Sequence, residues 1–169
     1  YYKGTGNLNS TANWGLNTDG SGATPSNFTT ANRIFNVRNT AAVTNSGTWT
    51  VSGASSKIVV GDGTNATNLT IPTGANTIVG KIDVSAGATL TLTNTTLPTL
   101  GALNATSTVV YNGTANQAIS AVTYGNLTYS GSATGTFGGS CNITGNFLCS
   151  SGNVTFNSSN GARTFNITG

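Results

Sequence analysis

The stretch NLTIPTGANTIVGKIDVSAGATLTLTN, residues 68–94, contains the pattern that decides the fold. Polar and apolar residues alternate in the short runs 68–71, 81–84 and 89–92, and turns containing Gly separate these runs. Alternation with a period of two is typical of strands that bury one face. Thr, Val, Ile and Leu supply at least half of each run, and β-branched residues such as Thr, Val and Ile favour strands. The stretch therefore predicts short strands joined by tight turns.

Runs of the same kind recur along the rest of the chain. Further examples are 34–37, 49–51, 57–60, 77–79, 108–111, 126–129, 142–144, 153–156 and 164–167. No segment of ten or more residues shows the period of an amphipathic helix. The sequence predicts an all-β chain whose body spans residues 33–169. Residues 1–32 are rich in turn-forming Asn, Gly and Ser, so we expect a loop-rich segment packed on that body.

Two architectures accommodate short strands at this spacing: a β-sandwich and a parallel β-helix, or β-solenoid, whose coils stack strands into parallel sheets. A recurring phrase favours the solenoid, because Asn-Leu-Thr or Asn-Ile-Thr begins at residues 126, 142 and 166. The abundance of small residues suits a narrow coil, and stacked Asn, Ser and Thr can form hydrogen-bonded ladders. At about 20 residues per coil, we expect roughly seven to eight coils. The β-sandwich remains the alternative.

The composition leaves few groups that could perform chemistry. Thr, Asn, Gly and Ser supply 95 of the 169 residues, whereas His and Glu are absent and Asp occurs three times. General acid–base catalysis and metal binding draw mainly on the scarce types. We therefore expect no enzyme, no metal and no other cofactor. An enzyme would need a cleft where at least two charged residues converge, from the set Asp19, Asp62, Asp83, Lys57, Lys81 and Arg163.

The charged residues also limit the partners. Six dispersed Lys and Arg residues form no phosphate-binding stripe, which argues against nucleic acid. No apolar run reaches the length of about 18 residues that suggests a membrane span. In the run 81–84, Ile82 and Val84 are expected to face inward, and Lys81 and Asp83 to be neighbours on the outer face.

The two cysteines, Cys141 and Cys149, match neither a CxxC motif nor a zinc pattern. They either form a disulfide across the bend at residues 144–146 or remain two buried thiols.

The chain contains no Met, which indicates a processed product or a segment of a longer chain. Its dominance by Thr, Ser, Asn and Gly suggests an extracellular protein.

One phrase resembles a recurring unit of very large secreted surface proteins. It runs from Ser107-Thr108-Val109-Val110-Tyr111 through Asn116-Gln117-Ala118-Ile119 to Tyr124-Gly125-Asn126-Leu127-Thr128-Tyr129. Similar units occur in gliding adhesins and filament proteins that the Bacteroidota export by type IX secretion. Residues 13–28 and 49–65 are similar to other parts of such segments. The resemblance implies a right-handed parallel β-helix at the cell surface, and it brings no catalytic residue with it.

These observations predict an extracellular structural or adhesive segment, either a surface adhesin or a filament subunit. Each end of the solenoid is expected to contact another copy or a neighbouring segment of the same chain, because unpaired strand edges invite strand addition. Tyr1, Tyr2 and Trp14 are the candidate contact residues, and surface glycans are a further candidate partner.

The alternative function is a module that binds carbohydrate or ice. Aromatic residues can stack on sugar rings, although core packing is the commoner role; the candidates are Trp14, Trp49, Tyr111, Tyr124 and Tyr129. Thr89, Thr91 and Thr93 place hydroxyls on one strand face, and regular Thr ladders on a solenoid resemble ice-binding surfaces.

Overall fold

A computed structural model describes residues 1–38, 42–156 and 164–168, and it confirms an all-β solenoid. The helix in these ranges is a single 3-10 turn, Thr11–Asn13. Every pair of neighbouring strands in the described sheets is parallel. A β-sandwich is built mainly from antiparallel pairs, so this topology excludes the alternative.

One long sheet runs the length of the solenoid and takes one strand from each of six coils. Its strands are β2 (Ala42–Thr44), β5 (Asn68–Ile71), β8 (Thr89–Leu92), β10 (Thr108–Tyr111), β13 (Asn126–Tyr129) and β16 (Phe147–Cys149). Successive strands run in parallel because the chain completes a whole coil before it returns to this sheet.

The other faces change between the two halves of the solenoid. The N-terminal half has a four-stranded sheet, β1 (Ile34–Val37), β4 (Lys57–Val60), β7 (Lys81–Val84) and β9 (Thr99–Leu103), and a pair, β3 (Trp49–Thr50) and β6 (Ile78–Val79). The C-terminal half has two three-stranded sheets. The first contains β11 (Gln117–Ile119), β14 (Thr134–Phe137) and β17 (Asn153–Phe156), and the second contains β12 (Thr123–Tyr124), β15 (Cys141–Ile143) and β18 (Phe165–Ile167).

The long sheet has six strands, fewer than the seven to eight coils expected. The first strand begins at Ile34, so the preceding residues add no coil. Coil length also varies, since Thr108 pairs with Asn126 but Ala42 pairs with Asn68 across a longer excursion. Surface loops of different length cost little free energy, which explains why the repeat is irregular in sequence.

The core consists of columns of inward side chains stacked from coil to coil. One column of the long sheet contains Val43, Leu69, Leu90, Val109 and Leu127, and a second contains Ile71, Leu92, Tyr111 and Tyr129. All of these side chains are buried. Parallel register places like positions directly above one another, so the alternation within each strand becomes a continuous apolar interior.

Buried amides connect the turns that follow the long sheet. The Asn94 Nδ2 lies 2.9–3.1 Å from three backbone oxygens of the preceding coil, those of Pro72, Gly74 and Asn76. In the next coil, the Gln117 Nε2 donates a hydrogen bond to the backbone carbonyl oxygen of Asn94 at 3.0 Å. A buried backbone carbonyl without a partner is costly, so these side chains replace the ladder where the strands end.

Candidate functional site: the C-terminal end of the solenoid

The N-terminal end of the solenoid is covered by the N-terminal segment. Trp14 lies over the first coil, with its ring centroid 5.2 Å from that of Trp49 and 5.5 Å from that of Phe35. The backbone amide of Tyr2 donates to the Asn36 oxygen of β1 at 2.9 Å. This segment therefore closes the apolar columns and occupies part of the first strand edge.

This cover corrects two predictions. Trp14 is 1% exposed and Tyr2 is 5% exposed, so neither is a surface contact residue. Large aromatic rings in a chain with few apolar residues are used to close the core. Tyr1 remains half-buried, and the Arg38 guanidinium carbon lies 5.8 Å from its ring centroid. The expectation that each end contacts another copy or a neighbouring segment of the same chain stays a prediction.

The C-terminal end is built differently, because no strand of the described ranges lies beyond β16, β17 and β18 in their sheets. Phe156 pairs with the buried Phe137, and Ile167 pairs with the buried Ile143. Both nevertheless remain exposed, at 50% and 46% respectively. Phe156 stacks on Phe137 with centroids 5.0 Å apart and planes only 5° apart. Both residues continue core columns, and no strand in the described part of the chain pairs with their outer side.

We call this surface the terminal face. It consists of the strands β16, β17 and β18 and their inward-register residues Phe147, Cys149, Val154, Phe156, Phe165 and Ile167. Each strand is the last of its sheet in the described part of the chain, so its outer backbone edge has no strand partner there. Unpaired strand edges are templates for pairing with another strand.

Two strands of the terminal face, β16 and β17, lie in an uncharged segment, whereas β18 begins two residues after Arg163. Residues 84–162 contain no Asp, Glu, Lys, Arg or His. Natural sheet edges are commonly protected by charged side chains, Pro or bulges, which oppose pairing between molecules. The outer side chain of Leu148 on β16 is exposed instead. The described edge therefore lacks the charges that usually prevent association.

Both cysteines are free thiols, and one of them belongs to the terminal face. Cys141 is buried on β15, and this burial raises the pKa of its thiol to about 11. Cys149 is exposed although it pairs with the buried Tyr129, because no coil follows it in the described residues. The structure thus contains no disulfide between them, and the expectation of two buried thiols is wrong for Cys149.

All three tyrosines considered for sugar stacking are fully buried. Two of them form a closed hydrogen-bonded ring with the backbone of Ser120. The Tyr124 hydroxyl donates to the Ser120 oxygen at 2.8 Å, and the Ser120 amide donates to the Tyr111 oxygen at 3.1 Å. The Tyr111 hydroxyl completes the ring by donating to Tyr124 at 3.0 Å. These residues and Tyr129 are 0% exposed, so they cannot stack on a sugar.

We expect the protein to lose stability in alkaline solution. Burial raises the pKa of both Tyr111 and Tyr124 above the ordinary value near 10. The unfolded chain then releases these protons first, so stability is complete below about pH 10 and is lost as the pH rises further. The loss should approach about 1.4 kcal/mol per pH unit for each tyrosine. The free energy of unfolding, measured by urea titration at pH 8 and pH 11, gives this loss. Tyr124→Phe should reduce the loss between the two pH values. An equal loss in the variant would contradict a role for the buried Tyr124 hydroxyl.

Two of the three acids meet in a cleft beside the N-terminal segment. Asp19, Asp62 and Arg38 line this cleft of about 270 Å³. The hydroxyl of Ser21 lowers the pKa of Asp19, and the backbone amide of Asn65 lowers the pKa of Asp62. Both carboxyls are therefore ionised at neutral pH. Glycoside hydrolysis needs one protonated carboxyl beside an ionised one, which this pair does not provide.

The third acid has a structural partner that the sequence did not reveal. Asp83 pairs with Lys57 of the preceding coil at 2.6 Å, rather than with Lys81. Its other oxygen accepts the Ala102 amide at 2.7 Å, where the register between β7 and β9 shifts. Asp83 lies between the inward residues Ile82 and Val84, as expected for the outer face, but its own side chain is also buried. The carboxylate compensates for backbone pairing that the bulge disrupts.

The outer face of the long sheet carries two columns of mostly polar side chains. One contains Asn68, Thr89, Thr108 and Asn126, and the other contains Thr44, Thr70, Thr91, Val110 and Thr128. Strands stack about 4.8 Å apart, so hydroxyls of adjacent Thr residues are spaced at that interval, while Asn in the first column and Val110 in the second interrupt the series. This order arises only from the register, because the residues lie far apart in sequence.

No group of three or more His, Cys, Asp or Glu residues that could hold a metal occurs in the described ranges. No described helix is long and apolar enough to cross a membrane. No protein-family model, curated protein or solved structure matches the chain.

Proposed function

We propose that this chain is an extracellular structural or adhesive segment that self-associates through its terminal face. The carrying observation is the contrast between the two ends. Trp14 and its neighbours bury the first coil, whereas Phe156 and Ile167 leave the last coil exposed. Burying such apolar surface would stabilise a contact by about 25 cal/mol per Å² removed from water.

The scarcity of chemical groups supports a scaffold rather than an enzyme. Each acid already serves a local role: Asp19 and Asp62 order turns, and Asp83 pairs with Lys57. The resemblance to secreted surface proteins of the Bacteroidota agrees with a cell-surface location, and it is part of this proposal. In that setting the solenoid would space and present surfaces, and the terminal face would join it to a neighbouring segment or copy.

Self-association should disappear when the terminal face receives a charge. In sedimentation velocity, the wild-type chain is expected to show a mass that rises with concentration. Phe156→Asp places a carboxylate in the contact, and Leu148→Lys places a cation on the exposed edge strand, so both should shift the chain to monomer. Leu148 points outward and is 53% exposed, so its replacement should leave the core intact.

Leu16→Lys is the matched control, because Leu16 is equally apolar and 71% exposed near the opposite end. It should associate as the wild type does. A wild-type chain that stays monomeric at every concentration would overturn the proposal, as would equal effects of the lysine at positions 16 and 148.

A second candidate function is favoured by the ordered columns on the long sheet. Their adjacent Thr hydroxyls are spaced by the distance between strands and carry no charge, which suits a periodic surface such as ice or a crystalline polysaccharide. The ladder is mixed, because one column reads Asn-Thr-Thr-Asn and the other reads Thr-Thr-Val-Thr from β5 to β13.

Ice binding has a direct test. If the columns bind ice, the chain should inhibit ice recrystallisation, and Thr91→Tyr should abolish that inhibition by disrupting the middle of one column. Thr136→Tyr is the control, because Thr136 stacks with Thr155 on a different sheet at 3.2 Å between hydroxyl oxygens. Equal activity of both variants, or no activity in the wild type, would reject this candidate.

A further inference from the structure

We infer that Asn112 is a deamidation site, which the folded solenoid protects and which becomes reactive when its coil opens. Asn112 and Gly113 form an Asn-Gly pair in the turn between β10 and β11. The other such pair, at residues 160–161, lies outside the described part of the chain. This inference concerns a chemical modification and is independent of the self-association proposed above.

The reaction begins at the backbone nitrogen of the glycine. This nitrogen gives up its proton and attacks the side-chain carbonyl carbon of the preceding Asn, so a cyclic succinimide forms and ammonia leaves. Water then adds to one of the two ring carbonyls and gives aspartate or isoaspartate. Glycine favours the attack because it has no side chain beside the nitrogen and adopts many backbone conformations. An Asn-Gly pair in an open chain is therefore reactive.

The folded chain holds the attacking nitrogen in a buried hydrogen bond. The Gly113 N–H donates to the Gln117 Oε1 at 2.8 Å, and Gln117 is 1% exposed. The Gln117 amide is itself fixed, because its Nε2 donates to the backbone oxygens of Leu92 and Asn94 at 2.8 and 3.0 Å. Removing the Gly113 proton would break this bond and create a charge in a buried place, which is costly.

The backbone on both sides of the pair is also held. The Asn112 amide donates to the Leu92 oxygen at 2.9 Å, and the Gly113 oxygen accepts the Ser132 amide of the following coil at 3.1 Å. The attack must bring the Gly113 nitrogen onto the side-chain carbon of Asn112, which requires movement of the peptide unit that these bonds hold. The Asn112 side chain is exposed, so the protection acts on the nitrogen and not on the carbonyl.

The packing of Gln117 explains why the chain carries this reactive pair. A Cβ atom at residue 113 would lie 2.6 Å from the Gln117 side-chain carbonyl carbon, closer than Cβ atoms approach other atoms. Glycine therefore lets Gln117 reach the backbone groups of two coils. The same absence of a side chain makes Asn112 reactive when the coil is open.

Deamidation would leave a lasting mark on the coil. It replaces an amide with a carboxylate in the segment 84–162, which carries no charge. Isoaspartate also adds one main-chain carbon between residues 112 and 113, so the hydrogen bonds on both sides of the pair cannot all re-form at their present lengths. A coil that has opened and reacted therefore closes less well.

Peptide mapping by mass spectrometry after pepsin digestion tests the inference on the full chain. Deamidation raises the mass of the peptide that contains Asn112 by about one mass unit. The folded wild-type chain should react at this residue about tenfold or more slowly than the same chain unfolded in urea, because opening the coil costs free energy. Gln117→Met keeps the side-chain length but removes the acceptor, so it should raise the rate in buffer about fivefold or more.

Two control variants accompany these measurements. Asn112→Ser should remove the mass gain assigned to residue 112, and Asn104→Ala, which changes an exposed turn one coil earlier, should leave the rate at Asn112 unchanged. A urea titration shows whether Gln117→Met is folded; if it is not, the wild-type rates in buffer and in urea decide alone. Equal wild-type rates in the two solutions would overturn the inference, as would a folded Gln117→Met chain that reacts as slowly as the wild type.

Discussion

Trp14→Ala is expected to destabilise the N-terminal half of the solenoid by about 3–5 kcal/mol, the usual cost of deleting a large buried aromatic ring. Trp14 is 1% exposed, its Nε1 donates to the Leu8 oxygen at 2.9 Å, and its ring contacts Trp49 and Phe35. Removing the ring leaves a cavity at the point where the N-terminal segment closes the first coil. The free energy of unfolding, measured by denaturant titration, should fall accordingly.

The damage should also be local, because in a solenoid each coil contacts mainly its neighbours. Hydrogen exchange measured by mass spectrometry should accelerate in β1 and β3, with a much smaller change in β14. Leu16→Ala is the control, since that side chain is 71% exposed and its truncation should change stability by less than about 0.5 kcal/mol. Exchange that accelerates equally along the whole chain would contradict the role of Trp14 as a local cover.

Asn94→Ala is expected to cost about 2–4 kcal/mol, because it leaves several buried backbone groups without partners. Asn94 is 5% exposed. Its Nδ2 lies 2.9–3.1 Å from three backbone carbonyl oxygens of the preceding coil, and its Oδ1 accepts a hydrogen bond from the Thr96 amide at 3.0 Å. Water cannot easily replace these contacts inside the turn. Asn94→Asp should be at least as harmful, since it sets a carboxylate against the same oxygens.

Asn104→Ala provides the matched comparison. Asn104 is exposed and its Oδ1 accepts the Thr106 amide at 3.0 Å, within its own turn. Water can take over that role, so the expected loss is below about 1 kcal/mol. Equal losses for the two asparagines in urea titrations would show that the contacts between coils add nothing beyond the local turn.

The different construction of the two ends links stability to the proposed function. At the N-terminal end, rings from a loop-rich segment bury the columns and leave little apolar surface at Phe35 or Trp49. At the other end, the same kind of column finishes in exposed Phe156 and Ile167. The two ends of the described chain therefore differ in how far the apolar columns are buried.

Much of the strand pattern could be predicted from local sequence. Alternation in the run 89–92 places Leu90 and Leu92 inside, and both are buried. The phrase at residues 142 and 166 does mark successive coils, because Asn142 pairs with Asn166. The phrase at residue 126 lies on the long sheet, where Asn126 pairs with Thr108, so the interval from 126 to 142 is not a coil. The number of coils was overestimated, since residues 1–33 lie outside them and loop length varies.

The roles of individual polar and aromatic residues could not be predicted in the same way. Sequence spacing suggested that Lys81 is the partner of Asp83, but the partner is Lys57, one coil earlier. Tyr2 and Trp14 were expected at the surface because they lie in a turn-rich segment, yet they are buried. The position of these residues depends on how the segment folds back over the first coil.

The strands, the inward face of most strands and the shortage of catalytic groups could be read from the amino-acid order alone, because they follow from period-two alternation and composition. Which side chains stack in register and which residues close the core depended on the folded arrangement of the coils. Those properties depend on contacts between residues about 20 or more positions apart, and local periodicity carries no information on such contacts.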